Sequence, residues 1–161
     1  MPQHTWFITG VSSGFGRQLT EQLLARGDRV VGTVRDSGKV ADLVERYPDA
    51  FRVEVLDVTD TAAMRKVVER SFAELGRIDV IVSNAGYGLF GAAEELSDEQ
   101  INRIIATNLV ASIQLIRAVW KARLPHSASG SQASKRRPRS PLPRTSRLGS
   151  DRLVARGGRG G

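Results

Sequence analysis

The sequence predicts an α/β protein in which a doubly wound parallel sheet carries helices on both faces, and three observations support this. Short apolar, β-branched runs alternate with segments of helical periodicity. Such alternation requires crossover connections, which make consecutive strands parallel. A glycine-rich turn, TGVSSGFG at 9–16, joins the first run to the first helix. The chain of 161 residues, 40% hydrophobic and 25% charged, fits one soluble domain of ordinary size.

Four segments have the composition of buried strands, because they are rich in Val, Ile and Phe. These segments are TWFIT (5–9), RVVGTV (29–34), FRVEVL (51–56) and IDVIVSN (78–84). Each is followed by a segment with helical features. The sheet is therefore expected to contain about four strands, with the fourth left at an open edge.

Three helices are predicted between these strands. The first follows the glycine-rich turn, where Ser12 or Ser13 can serve as the N-cap, and ends before Gly27. The others cover 39–47 and 60–75. The last of them places four apolar residues roughly on one side: Ala63, Val67, Phe72 and Leu75.

A long helix is predicted after the fourth strand, from about Ser97 to Leu124. Ser97 is a good N-cap, and Pro125 stops the helix. Its apolar residues follow helical spacing: Ile101, Ile104, Ile105, Leu109, Ile113, Ile116, Val119 and Trp120. With the sheet ending after four strands, only part of this apolar stripe is expected to be covered.

The chain divides into a folded part, residues 1–124, and a tail, residues 125–161. The tail has no aromatic residue, and Arg, Ser, Gly and Pro dominate it. It cannot bury enough apolar surface to offset about 1–2 kcal/mol of backbone entropy per ordered residue. We therefore predict a disordered tail. Its composition also fits coding DNA read out of frame from about residues 120–130.

The net charge of +7 belongs to the tail. Nine of the 24 basic residues but only one of the 17 acidic residues lie in 125–161. This leaves 15 basic and 16 acidic residues in 1–124, so the folded part is nearly neutral. The sequence pI of about 10.7 therefore describes the tail rather than the fold.

The sequence argues against disulfides, metal sites, secretion and a membrane span. There is no cysteine, which excludes disulfides and thiolate metal sites, and His4 and His126 lie far apart, so no metal site is predicted. The first residues lack the basic stretch and long apolar run of a secretory signal. No run approaches the ~18 apolar residues of a membrane span. We expect a cytoplasmic protein.

The glycine-rich turn has the features of a dinucleotide-binding site. Gly10, Gly14 and Gly16 allow a tight turn, close approach of the backbone to a pyrophosphate, and close packing of the helix on its strand. Backbone N–H groups at the helix start then face the phosphates. A glycine triplet alone is also compatible with a plain strand-to-helix turn, but its position at the start of an alternating fold favours cofactor binding.

The sequence resembles the short-chain dehydrogenase/reductase family in four features. These are the spacing T-G-x-x-x-G-x-G, LDVTD at 56–60, SNAG at 83–86 and Asn108. The resemblance covers residues 5 to about 124 and implies a Rossmann-like fold and an NAD(P)-dependent oxidoreductase. It also implies site residues. The residues that would line the pyrophosphate are Gly10, Ser12, Ser13, Gly14, Phe15 and Gly16. Asp57 would accept a hydrogen bond from the adenine amino group, with Val58 beside the ring. The residues that would lie by the adenosine ribose are Asn84, Ala85 and Gly86.

The choice between NAD and NADP depends on the residues after the second strand. An acidic residue there binds the ribose 2′-hydroxyl, whereas an arginine accommodates a 2′-phosphate. The sequence is GTVRD, in which Val34 stands where NAD-preferring relatives carry an acid and Arg35 follows. Asp36 can still turn inward. We therefore favour NADP(H) over NAD(H).

The resemblance also implies catalytic residues, and most of them are absent. The family uses a serine, an asparagine matched by Asn108, and a Tyr-x-x-x-Lys motif in which lysine lowers the tyrosine pKa. The only tyrosines are Tyr47 and Tyr87, and neither has lysine four residues later. SGSQASK at 129–135 is similar to the motif, with Ser131 in place of tyrosine, but it lies too close to Asn108. We interpret it as a chance match and expect this chain to be catalytically defective.

An alternative is a non-enzymatic nucleotide-binding protein whose basic tail contacts nucleic acid or anionic surfaces. The tail lacks aromatic residues for base stacking and apolar residues for membrane insertion. A solvated charged segment is therefore preferred, with no specific nucleic-acid or membrane partner. A carbonyl or alcohol substrate is expected only if the chain is active. Neither its identity nor a homo-oligomeric state can be inferred from the sequence.

Overall fold

The structure, a computed structural model, describes residues 3–123, which form four β-strands and five α-helices. The predictions made for the tail, including the one about Ser131, lie outside the described residues. The strands are β1 (Thr5–Thr9), β2 (Arg29–Val34), β3 (Phe51–Val55) and β4 (Val80–Val82). The helices are α1 (Gly14–Ala25), α2 (Ala41–Arg46), α3 (Thr61–Leu75), α4 (Asp98–Ile105) and α5 (Ala111–Arg123).

The four strands form one parallel sheet in the order β3-β2-β1-β4. β1 is central, with Thr9 in register with Thr33 of β2 and Trp6 in register with Val80 of β4. The strand order reverses at β1, which creates a crevice outside the carboxyl ends of β1 and β4. Within residues 3–123, β4 pairs only with β1, so the predicted parallel sheet and its open edge are both present.

Helices cover both faces of the sheet, as the alternating pattern predicts. Leu23 and Leu24 of α1 and Leu43 of α2 pack on one face. The other face holds α3 and α5, through Val67, Val68 and Leu115 among others. Each face of the sheet is thus buried under two helices, which is why β1 and β2 are almost continuously apolar.

Two elements differ from their predicted bounds by more than one residue. The segment 39–47 is predicted as one helix, but a 3-10 turn at Ser37–Val40 precedes the short helix α2. Asp36 favours this turn because its carboxylate accepts a hydrogen bond from the Gly38 amide at 2.9 Å. The fourth strand is predicted over seven residues, whereas β4 has three.

The buried side of α3 overlaps the predicted one, since Val67 is buried and Ala63, Phe72 and Leu75 pack against the same core, but it includes further residues. Met64, Val67, Val68 and Ser71 are buried, whereas Phe72 packs at the margin of this core. Ser71 tolerates burial because its hydroxyl donates to the Val67 carbonyl at 2.7 Å. The prediction omitted Met64, Val68 and Ser71, since the small polar Ser71 interrupts the apolar pattern.

The predicted long helix is present but is not one regular α-helix. A π-helical turn at Ala106–Val110 separates α4 from α5. Ser97 is confirmed as the N-cap: its hydroxyl accepts from the Gln100 amide, while the Gln100 side chain accepts from the Ser97 amide. The predicted end at Leu124 lies just outside the described residues.

The helical stretch Asp98–Arg123 is long and apolar enough, by length and composition alone, to cross a membrane, with a mean hydropathy of 1.2 in one 18-residue window. Core helices of soluble proteins meet the same criterion, and α5 packs on α3 through Leu115 and Ala118. Much of its apolar surface is nevertheless exposed: Ile116 is 66% and Trp120 is 68% exposed. The partial coverage expected for this helix is present in the described residues.

Candidate functional site: a cleft at the carboxyl edge of the sheet

A cleft of about 690 Å³ opens at the carboxyl ends of the strands. The glycine-rich turn, the residues after β2, β3 and β4, and one side of α4 form its walls. Most of the predicted site residues line it: Gly10, Ser12, Ser13, Gly14, Phe15, Arg35, Asp57, Val58, Asn84, Ala85 and Gly86. Two predicted residues, Gly16 and Asn108, are not part of this lining.

Gly10 begins the turn in a backbone conformation that disfavours other residues. Its φ is +74°, and a β-carbon there would come within 2.9 Å of the Ala85 Cα. The amides of Gly10 and Val11 donate to the Thr33 carbonyl at 3.0 and 3.1 Å. The turn is therefore anchored to the end of β2 on one side and packed on the segment after β4 on the other.

Gly16 allows α1 to approach the same segment. A β-carbon at Gly16 would collide with the Asn84 amide nitrogen and the Gly10 carbonyl. The Asn84 side chain donates to the carbonyls of Thr9 and Gly10 at 3.1 and 2.9 Å. Asn84 therefore joins the end of β4 to the glycine-rich turn, which is a structural role beyond the one that the resemblance implies.

Gly14 faces open space instead. Its φ is +58°, and a β-carbon there would meet no atom within 4 Å. Ser13 occupies the N-cap position of α1, but its side chain makes no capping hydrogen bond, in contrast to the prediction. The first amides of α1 have no partner within the helix. Free N–H groups, two hydroxyls and the positive end of the helix dipole thus adjoin the cleft, as an anion site requires.

Two threonines at this edge were not predicted from the sequence. The Thr9 hydroxyl accepts from the amides of Asn84 and Ala85 at 3.0 and 3.1 Å, which fixes the segment after β4. Thr33 is 1% exposed, lines the cleft, and its hydroxyl has no hydrogen-bond partner in residues 3–123. A buried hydroxyl without a partner is uncommon, and this one belongs to a residue of the cleft wall.

Asp57 follows β3 and is held as a carboxylate. Its Oδ1 accepts from the Thr59 amide at 2.9 Å and from the Thr59 hydroxyl at 2.7 Å. These hydrogen bonds lower the pKa of Asp57 below its usual value, and the positive charges of Arg35 and Arg103 lower it further. Asp57 is therefore ionised at neutral pH and can accept a hydrogen bond from a ligand N–H group.

Arg35 and Asp36, the two charged residues after β2, make different contacts. Arg35 lines the cleft and forms no ion pair within 4 Å inside the described part of the chain. The Asp36 carboxylate instead caps the 3-10 turn that follows it. The residue available to a ligand beside β2 is thus the arginine.

The side of α4 that faces the cleft was also not predicted. Gln100 and Arg103 of α4 and Thr107 of the π-helical turn line it at i, i+3 and i+7 spacing, which places them on one face of the helical stretch. The polar positions between the apolar ones are the only sequence signal for this wall. Nothing in the chain order indicates that they approach Asp57, which lies more than forty residues earlier.

Asn108 lies in the π-helical turn, where its side chain is engaged with the backbone of Tyr87. Its Oδ1 accepts from the Tyr87 amide at 3.1 Å, and its Nδ2 donates to the Tyr87 carbonyl at 2.8 Å. These bonds fix the segment after Gly86 at the cleft. π-Turns within α-helices frequently occur at functional sites.

A larger groove of about 1640 Å³ lies at the opposite, amino edge of the sheet. Several of its charged side chains are already paired, as in Arg26 with Asp28 and Arg77 with Asp79. Open parallel sheets bind ligands at the carboxyl ends of their strands. We therefore assign the candidate site to the smaller cleft. Within residues 3–123, no group of three His, Asp or Glu side chains is arranged to hold a metal ion.

The chain is similar to several known proteins. A family model described as short chain dehydrogenase matches residues 4–131. The chain is 36% identical over 115 residues to the 3-oxoacyl-(acyl-carrier-protein) reductase FabG of Escherichia coli (strain K12), covering 71% of this chain and 47% of that protein. The chain thus spans about half the length of this relative.

Solved structures give the same result. A short-chain dehydrogenase from Streptomyces avermitilis matches with a TM-score of 0.72 and 38% identity, over 74% of this chain and 44% of that one. A metagenomic short-chain oxidoreductase in complex with NADP matches at 0.68 and 31%, over 74% and 56%. A 3-ketoacyl-(acyl-carrier-protein) reductase from Brucella melitensis complexed with NADH matches at 0.69 and 27%, over 74% and 50%.

Proposed function

The chain belongs to the short-chain dehydrogenase family, and from that premise we propose that the cleft binds NADP(H) in preference to NAD(H). The glycine-rich turn carries this proposal, because Gly14 leaves open space beside free amides at the start of α1. The unpartnered hydroxyl of Thr33 and the cationic Arg35 also suit a polar, anionic dinucleotide. The residues present therefore fit the cofactor that the family uses.

In this proposal different residues of the cleft bind different parts of the cofactor. The turn from Gly10 to Gly16, with Ser12, Ser13 and Phe15, holds the pyrophosphate. Asp57 accepts from the adenine amino group, with the buried Val58 beside the ring. Asn84, Ala85 and Gly86 lie by the adenosine ribose.

The preference for NADP(H) depends on charge beside β2. Arg35 is free to pair with a 2′-phosphate, whereas Asp36, the acidic residue that would favour a 2′-hydroxyl, caps its own turn. The relatives do not decide the preference, since one structure contains NADP and another NADH. Titration with both cofactors at equal salt tests it, and tighter binding of NAD(H) would contradict it.

We further propose that these 161 residues bind the cofactor without catalysing turnover. The nicotinamide ring supplies hydride exchange with a carbonyl or alcohol carbon, and the protein must supply the accompanying proton. Tyr87 lines the cleft, but no lysine of the described residues lines it, and no Tyr-x-x-x-Lys occurs in the sequence. Asn108, the one matching catalytic residue, then has no tyrosine and lysine to act with.

The test is NADPH binding to the purified 161-residue protein by calorimetry, with a parallel assay of NADPH oxidation against aldehydes and ketones. Binding without oxidation is the expected result. Oxidation above the rate without enzyme would show that another acid serves, and Tyr87→Phe would then identify whether it is Tyr87. Failure of the folded protein to bind either dinucleotide would refute the proposed function.

A further inference from the structure

We propose that Arg103 of α4 forms the outer wall of the adenine site, with its guanidinium stacked on the base. This inference rests on the proposed function, because it requires an adenine dinucleotide in the cleft. It assigns a cofactor-binding role to a residue that lies outside the motifs of the sequence. Its basis is the face of α4 that lines the cleft.

Of the three side chains on this face, only that of Arg103 forms no hydrogen bond within residues 3–123. The Gln100 side chain accepts from the Ser97 amide in the capping box at 2.9 Å. The Thr107 hydroxyl donates to the Arg103 carbonyl at 2.9 Å. Within residues 3–123 the Arg103 guanidinium forms no ion pair, so a planar cation adjoins the cleft without a fixed partner.

The position of Arg103 relative to Asp57 indicates which part of the cofactor it meets. Arg103 and Asp57 both line the cleft, but the two groups do not approach within the 4 Å of an ion pair. A gap therefore separates the α4 wall from the turn after β3. If Asp57 accepts from the adenine amino group, the base occupies this gap.

A guanidinium is suited to such a gap. It is planar and delocalised, it is more weakly hydrated than an ammonium group, and it stacks on aromatic faces. Stacking of a cation on a ring contributes about 0.5–2 kcal/mol, which corresponds to about two- to thirtyfold in affinity. Because NADPH and NADH carry the same base, this contact would act equally on both.

An equal loss of affinity for NADPH and NADH distinguishes stacking on the base from recognition of the 2′-phosphate, which only NADPH carries. We would measure the affinities of NADPH and NADH for the wild-type chain and for Arg103→Met, Arg35→Met and Arg117→Met. Arg103→Met is expected to weaken both cofactors by the same factor, about tenfold. Arg35→Met is expected to weaken NADPH far more than NADH. Arg117→Met removes the same charge from an exposed site on α5 outside the cleft and is expected to change neither.

Arg103→Lys then separates stacking from charge. It keeps the positive charge but removes the planar group, so its affinity should fall nearly as far as that of Arg103→Met. Circular dichroism shows whether each variant is folded. We expect the Arg103 variants to fold, because the Arg103 side chain is exposed.

Three results would overturn the inference while leaving the proposed function intact: a loss confined to NADPH, no loss at all, or full binding by the lysine variant. Absence of binding to the folded wild-type chain would overturn both.

Discussion

Thr33 shows how a single buried hydroxyl can report a ligand site. In the free protein its Oγ1 is buried and has no partner within residues 3–123, which costs about 1–3 kcal/mol for a buried polar group. Thr33→Val keeps the β-branched shape and removes the hydroxyl. We expect it to stabilise the free protein by up to about 1 kcal/mol and to weaken NADPH binding, as measured by urea unfolding and calorimetry.

Thr9 provides the matched comparison, because it lies beside Thr33 in the register of the sheet. Its hydroxyl accepts two backbone hydrogen bonds from the segment after β4. Thr9→Val should therefore destabilise the free protein by about 1–3 kcal/mol. A Thr33→Val variant that is destabilised to the same extent would show that its hydroxyl has a partner within the protein.

The same pair shows which site residues the sequence can identify. Gly10, Gly14 and Gly16 can be predicted because the need for glycine arises within one short turn. The importance of Thr9 cannot, since its partners lie 75 and 76 residues further along the chain. Arg103 is missed for a related reason: Asp57, which lines the same cleft, lies more than forty residues earlier, and only the packing of the fold brings the two to one site.

The helix α5 carries adjacent apolar residues in opposite environments. Leu115 is 1% exposed and packs in the core between the sheet and α3, whereas Ile116 is 66% exposed. Leu115→Ala should lower the free energy of unfolding by about 2–5 kcal/mol because it leaves a cavity. Ile116→Ala should change it by no more than about 0.5 kcal/mol, since an exposed side chain loses little on truncation.

Urea unfolding of the two variants measures this difference directly. Similar losses in both would mean that Ile116 is covered in solution by something other than residues 3–123. The helix itself is predictable from its periodicity. Which side is buried is not, because apolar residues occur around much of α5, and only contact with α3 selects Leu115 and Ala118.

At the scale of the whole molecule, the alternating pattern predicts the architecture well because each helix must cover the sheet. The parallel sheet, the two covered faces and the position of the cleft all follow from it. The bounds of the strands are predicted less accurately from this pattern. β4 is shorter than its apolar run, since only Val80–Val82 pair with β1. A strand's length is set by its neighbours, and those are fixed by topology rather than by composition.

Two carboxylates at the amino edge of the sheet make stability depend on pH. Asp28 accepts from the His4 amide at 2.9 Å, and this bond, with help from Arg26, lowers the pKa of Asp28. Asp79 accepts from the Thr5 amide at 2.9 Å, which lowers its pKa in the same way. Both bonds hold the start of β1.

A carboxyl pKa that is lower in the folded state than in the unfolded state favours folding while the group is ionised in the folded protein, and fully so once it is ionised in both states. The contribution is therefore complete above the unfolded value of about 3.9 and is lost as pH falls through the folded values. We expect the free energy of unfolding to fall steeply below about pH 4. Asp28→Asn, and more so the double variant with Asp79→Asn, should show a smaller fall between pH 6 and pH 3.

Urea unfolding at a series of pH values measures this change. Because both residues lie at the edge opposite the cleft, NADPH affinity of the folded variants at pH 7 should equal that of the wild-type chain. Parallel stability curves for wild type and the double variant would mean that other groups govern the acid sensitivity. A smaller acid-induced loss at unchanged affinity would place the pH-sensitive contacts at the amino edge, separate from the cofactor site.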